Sequence, residues 1–502
     1  MHSSTLQIGL AAALLLFTAC SPRAISQSTP PRQLDMTQET VSWDDGIEVT
    51  FDRGLFNLPA NRRTRSAATI PVEVVRFTRD ANAPRGIPPV VYLQGGPGYG
   101  SIYEFLDDSR FYTRTLQPLL GLTDVILVGQ RGFGPSAMPC DDREPLSLSE
   151  SFDDTLREQA WQRGLERCRQ TWEAAGRDLD GINVVEAAAD VADAVRALGY
   201  SQVQLYGMSF GSHHGIAILQ NHPELVARAT LGALEGPDHT VDSPDGLLNG
   251  LTAIAAAAEA SPALRALIPP EGLLEAYQNL IHRADASPII VETRHPDTDE
   301  PITLRLDGDD FRELSGGVTR GLKFRFIMPA WPLDLLAILN GDYESAARRI
   351  FRLNTSTGLD AAAGYAYDCA SGISRERRAL YGQSTAIDMV GNTWHEHETD
   401  CAAWGVDLGE GFRAGTDIDV PTVLLHGTWD MNTPFTNAQD LRPVFQNHHF
   451  VAIEGGSHGA VREASQAIDG FSDALLRWYA TGDWSQLPER VELPPLEWEA
   501  PE

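Results

Sequence analysis

The chain has 502 residues, 42 % of them hydrophobic, enough to bury the core of one large domain with an insertion or of about two or three smaller ones. Its 69 acidic residues against 39 basic ones give a formal net charge of −30, which opposes binding of nucleic acid or of an anionic lipid surface by simple electrostatics. Such acidity reads first as a solvated surface.

The chain opens on "LQIGLAAALLLFTAC", an apolar run of signal-peptide length ending in small residues before Cys20. It resembles a bacterial lipoprotein signal, with Phe17-Thr18-Ala19-Cys20 as the lipobox and Cys20 as the lipidated residue. Phe17 stands where Leu is commonest, and the segment before the apolar run lacks Lys and Arg, so plain secretion is the alternative. Either way the expectation is export to the periplasm or cell envelope, with any membrane contact made through an N-terminal lipid. Residues 21–44, rich in Ser, Pro, Gln and Thr, read as a tether.

Beyond the tether, "IEVTFDRG" and "IPVEVVRF" alternate like antiparallel strands, whereas "PPVVYLQ" and "DVILVGQ" are continuous apolar runs like strands buried on both faces. An amphipathic helix is predicted over Asn183 to Leu198, with Gly199 as its stop, and "VQLYG" then leads into a serine turn. This alternation predicts an α/β fold with a mostly parallel sheet covered on both faces. The rhythm changes after Pro237 to a series of short helices interrupted by "PIIVETRH" and "ITLRL". It returns at "VPTVLLHG", "HHFVAIEGG" and a closing amphipathic helix. The expected organisation is a core of residues 45–237 and 416–485, a mainly helical lid of residues 238–415, and a C-terminal tail of residues 486–502.

With Cys20 set aside, four cysteines remain in a chain expected to reach an oxidising compartment. Of three possible pairings we favour Cys140 with Cys168 and Cys369 with Cys401, because each closes a local loop. No CxxC or zinc-type Cys/His spacing occurs, which argues against a metal held by these thiols.

The stretch "GMSFG" places Ser209 at the end of a strand. A serine hydroxyl is a weak nucleophile unless an imidazole takes its proton and a carboxylate orients that imidazole. In a doubly wound sheet those partners belong at the carboxyl ends of later strands. "TVLLHGTWDMNTP" puts Asp430 there, and "FVAIEGGSHG" puts His458 after the next strand, in the chain order Ser, Asp, His. Taken singly, Asp430 could be a turn residue beside Asn432 and Thr433, and His458 a loop histidine. Coincidence of all three is the poorer reading. His213 and His214 follow the serine on its helix and point elsewhere. The backbone N–H groups of Phe210 and of Gly96, in "LQGGPGYG", are the candidate oxyanion donors.

The set "QGGPG", "GQRGFGPS", "GMSFGS", "GTWDMNTP" and "GGSHG" resembles the α/β-hydrolase family of proline iminopeptidases and secreted tripeptidyl aminopeptidases. The chain departs from that pattern at Gln94, Gly129 and Phe210, without touching the triad. The resemblance implies a Ser209–Asp430–His458 triad, no metal or organic cofactor, and removal of residues from the free N-terminus of a peptide. Reading a protonated amine asks for carboxylates, for which Glu235 and Asp238 are candidates, with Trp331 as a candidate pocket wall. Solvated-loop roles for the two acids and core packing for Trp331 stay open. So do two other functions: a lidded esterase acting on small esters, and an inactive binding lipoprotein. The expected partner is a peptide or small-molecule substrate.

Overall fold

The computed structural model describes residues 34–64, 67–98, 101–137, 140, 146–355 and 362–500. The signal segment and Cys20 lie outside them. The strands are β1 (Thr37–Ser42), β2 (Glu48–Pro59), β3 (Thr69–Phe77), β4 (Val90–Leu93), β5 (Val125–Val128), β6 (Val203–Met208), β7 (Val226–Gly232), β8 (Ile289–Arg294), β9 (Pro301–Leu306), β10 (Thr422–Gly427), β11 (His448–Glu454) and β12 (Arg490–Glu492). Ten of these form one sheet in the order β1-β2-β3-β5-β4-β6-β7-β10-β11-β12, and β8 with β9 makes a separate antiparallel hairpin. The pairings from β1 to β3, and of β3 with β5, are antiparallel. From β5 to β12 they are parallel.

Side-chain alternation explains why the inner strands read as continuous apolar runs. On β10, Leu424 enters one core layer while Val423 and Leu425 enter the layer on the opposite face. Every residue of β5 and β10 is buried. The first layer is closed by the helix Val184–Ala197, whose N-cap Asn183 accepts from Glu186 N–H at 3.0 Å. The opposite face is covered in part by the helix Phe471–Thr481, which buries Trp478.

Both ends of the described residues are more ordered than their composition suggests. Residues 37–42, assigned to the tether from sequence, pair along their whole length with β2. In the tail, β12 extends the sheet beside β11. Leu496 and Trp498 then pack against the lid's core, and Glu499 N–H donates to Pro329 O at 3.1 Å.

The lid has its own hydrophobic core, including Ile254, Leu280, Ile281, Phe311 and Ile350. Both favoured disulfides are formed, with Cα–Cα separations of 5.5 Å for Cys140–Cys168 and 5.2 Å for Cys369–Cys401. The helices Asp154–Ala174 and His395–Trp404, which carry Cys168 and Cys401, also meet through Trp172 and Trp404, ring centroids 5.8 Å apart. Trp161 Nε1 adds a bond to Asp400 Oδ1 at 2.7 Å.

Candidate active site

The parallel half of the sheet brings the loops after β4, β6, β7, β10 and β11 to one edge. Ser209 sits between β6 and the helix Phe210–Asn221 with φ 58 and ψ −132, a backbone state rare for a residue with a side chain. Crowding enforces the turn: a Cβ on Gly211 would strike Leu93 O, so the helix can start this close to β4 only with glycine there. Ser209 O accepts both the N–H and the Oγ–H of Ser212, each at 2.7 Å, which pins the elbow.

The loop after β4 lies against the serine. Gly95 is in van der Waals range, its Cβ position 3.4 Å from Ser209 Cβ, and Gly96 has φ 121, outside the range of ordinary side-chain residues. Gln130, of the "GQRG" run after β5, braces this loop. Its Oε1 accepts Gly98 N–H at 2.8 Å, and its Nε2 donates to Gln94 O at 3.2 Å and Gly95 O at 3.4 Å. Beside it Arg131, fully buried, binds both oxygens of Asp190 at 2.8 and 2.6 Å and donates to Ala60 O and Gly181 O. Every face of the guanidinium is thereby occupied, as a buried cation requires. Phe210 N–H begins its helix, where first-turn donors lack intrahelical acceptors.

Asp430 and His458 meet as expected from their strand ends. His458 Nδ1 lies 3.0 Å from both Asp430 carboxylate oxygens. The same carboxylate accepts from Asn432 N–H and Thr433 N–H at 2.9 Å and from Thr433 Oγ1 at 2.8 Å. Asp430 is therefore both the turn residue and the partner of the histidine. Burial alone would push its carboxyl up, yet His458, His426 and the Thr433 N–H outweigh that and hold it at about 2.

No hydrogen bond joins Ser209 Oγ to His458 among the described residues, and Nε2 instead stands 3.4 Å from Asn432 Nδ2. Nucleophile–base contacts are commonly long in unliganded sites.

His426, absent from the sequence reading, links the two halves of the core. Its Nδ1 accepts Leu234 N–H at 2.9 Å, so Nε2 carries the proton and donates to Thr433 O at 2.9 Å. Its only sequence signal was a polar residue inside the buried run "TVLLHG". His213 and His214 are buried away from the base position. His213 bonds Gly236 O and Ser371 Oγ, and burial lowers both imidazoles to about 4.

The candidate substrate readers separate. Glu235, just past β7, is partly buried, and burial together with the carboxylates of Asp368 and Asp242 raises its carboxyl well above the usual range. Asp238 departs from its expected role because its carboxylate already has partners: it accepts Ser374 N–H at 2.6 Å and Arg377 Nε at 3.3 Å. Arg377 also reaches Asp440 at 3.0 Å, so Arg377 clasps its lid helix to the core and Asp238 holds Arg377 in place. Trp331 likewise departs from the pocket-wall role, since it is 7 % exposed and packs into the lid's own core.

Residues 88–251 match the family model described as the alpha/beta hydrolase fold, and residues 387–481 match one described as TAP-like protein. The fold and these matches define the chain as an α/β hydrolase. More narrowly, the match over residues 387–481 supports an α/β hydrolase of the TAP-like family. Similar solved structures include a serine hydrolase from the polyaromatic hydrocarbon-degrading bacterium Cycloclasticus zankles, 12 % identical, covering 89 % of this chain and 98 % of that one, TM-score 0.35. Others are an epoxide hydrolase from an endophytic Streptomyces (14 %, 91 % and 98 %, TM-score 0.34) and an esterase from Exiguobacterium antarcticum (14 %, 82 % and 97 %, TM-score 0.35). No curated protein matches the chain.

Proposed function

We propose that the protein is an exported serine hydrolase that removes residues from the free N-terminus of peptides through an acyl-enzyme on Ser209. The observation that carries the serine chemistry is the buried Asp430–His458 pair, delivered to the same sheet edge as a serine on a strained elbow. In this reading His458 takes the Oγ proton as Oγ bonds to the carbonyl carbon. The oxyanion lies between the N–H groups of Gly96 and Phe210, and His458 returns the proton to the leaving nitrogen. Water then repeats the sequence and frees Ser209.

The amine preference rests on Glu235. Its carboxyl stands near those of Asp242 and Asp368, whose charges act on it, so a protonated amine placed beside Glu235 would meet negative charge. Amine binding therefore draws Glu235 into its ionised form.

Labelling by a fluorophosphonate probe is expected in the wild type and absent in Ser209→Ala. A peptide arylamide with a free amine is expected to be cleaved at least about a hundredfold faster than its N-acetylated form, the discrimination available when a buried polar site loses its partner. Equal rates would refute the exopeptidase reading and leave a hydrolase of simple esters or amides. Export is tested by the mass of the N-terminal peptide of the mature protein, expected to begin at a lipidated Cys20.

A further inference from the structure

The lid meets the His458 loop at residues 322–327, whose backbone is bonded to that loop at Lys323 and Arg325. Lys323 O accepts His458 N–H at 3.1 Å, and Arg325 N–H donates to Ser457 Oγ at 3.1 Å. The Arg325 guanidinium donates to Gly455 O at 2.8 Å and to Pro494 O of the tail, and lies over the Trp429 ring at 5.8 Å.

These bonds present two aromatic rings beside the base. Phe324 and Phe326 are stacked, centroids 5.6 Å apart and 10° from parallel, and the Phe324 centroid is 6.4 Å from that of His458. Gly459 lies alongside, its Cβ position 3.4 Å from Phe324 Cδ1, an ordinary van der Waals contact. Phe324 is partly exposed, and Phe326 and Ile327 are 69 % and 42 % exposed. Large apolar side chains left together at the edge of a site mark a surface that something covers.

The chemistry says which part of a substrate that is. The histidine must stand next to the departing nitrogen to protonate it, so the atoms beyond that nitrogen lie on the histidine's side. We propose that Phe324 and Phe326 form the leaving-group subsite, receiving the side chain of the residue whose nitrogen is freed and favouring an aromatic or bulky apolar residue there. This rests on the serine-peptidase reading above. As the C–N bond breaks, the carbonyl carbon stays bonded to Ser209 Oγ and His458 gives the nitrogen the proton it took from that oxygen. The new amine leaves across Phe326 to solvent.

The test uses two peptides with the same acyl half and either Phe or Gly as the leaving residue. The wild-type kcat/KM ratio is expected to favour Phe by about tenfold or more, the usual worth of an apolar side chain in a fitted pocket. Phe324→Ala is expected to bring that ratio to within about twofold of one, and Phe324→Trp to keep most of it. A second readout is the partition of the acyl-enzyme when phenylalaninamide or glycinamide is added: the wild type transfers preferentially to phenylalaninamide, and Phe324→Ala loses the preference. Should Phe324→Ala fail to fold, Phe326→Ala, which removes an exposed ring, must shift both ratios in the same direction. Unchanged ratios in a variant that still labels with fluorophosphonate overturn the subsite alone. Absence of labelling in the folded wild type overturns the serine reading beneath it.

Discussion

Gln130 is where one side chain does most for the geometry of the site. It holds the glycine loop by an acceptor to Gly98 N–H and donors to Gln94 O and Gly95 O. Gln130→Leu keeps the volume and removes all three bonds. We expect kcat to fall about ten- to a hundredfold with KM changed by less than about twofold, because a loosened oxyanion donor is missed in the transition state rather than in the ground state. Asp430→Asn should cost about 10³–10⁴-fold in kcat, since the amide favours the wrong imidazole tautomer. It also sets an NH₂ group among donors from Asn432 and Thr433, so denaturant unfolding should show a loss of about 1–3 kcal/mol. With the Asp430 carboxyl held at about 2, the acid limb of a rate profile above pH 4 cannot come from this residue.

At the level of elements, the helix Phe210–Asn221 carries a pH dependence of its own. Burial holds His213 and His214 at about 4, below the 6.5 of an exposed imidazole, so the unfolded chain binds more protons in that interval. Their contribution to stability is whole above pH 6.5 and is lost as pH falls toward 4. Melting curves across that range should show the midpoint dropping, and His214→Gln should flatten the slope. The same helix marks what was legible from sequence. Ser209, Asp430 and His458 each end a strand whose apolar run is local, and local runs are visible in a single chain. Pairings between distant segments leave no such mark: Gln130 under Gly98, Arg131 on Asp190, and Phe324 beside His458 follow from register and packing. Asp238 and Trp331, for which the sequence left both a site role and a structural one open, show the same limit. Their chain positions suggested the site, but Arg377 and the lid's own core had claimed their side chains.

Across the whole molecule, the tail joins sheet to lid. β12 lies beside β11, Leu493 N–H donates to Glu454 O, Pro494 O receives Arg325, and Leu496 and Trp498 pack on the lid. Ending the chain at residue 485 removes the buried Leu487, Val491 and Leu493 as well. At about 1.5–3 kcal/mol for each buried side chain, the thermal midpoint should fall by roughly 5–10 °C, read by calorimetry. The insertion has a further consequence. Because the lid divides the core, the elbow serine belongs to the first half of the polypeptide and both of its partners to the second. On the proposed triad, a nascent chain thus stays inert until the ribosome has delivered β10 and β11. Two fragments divided within the lid would each be silent, and hydrolysis on mixing them would report their reassembly.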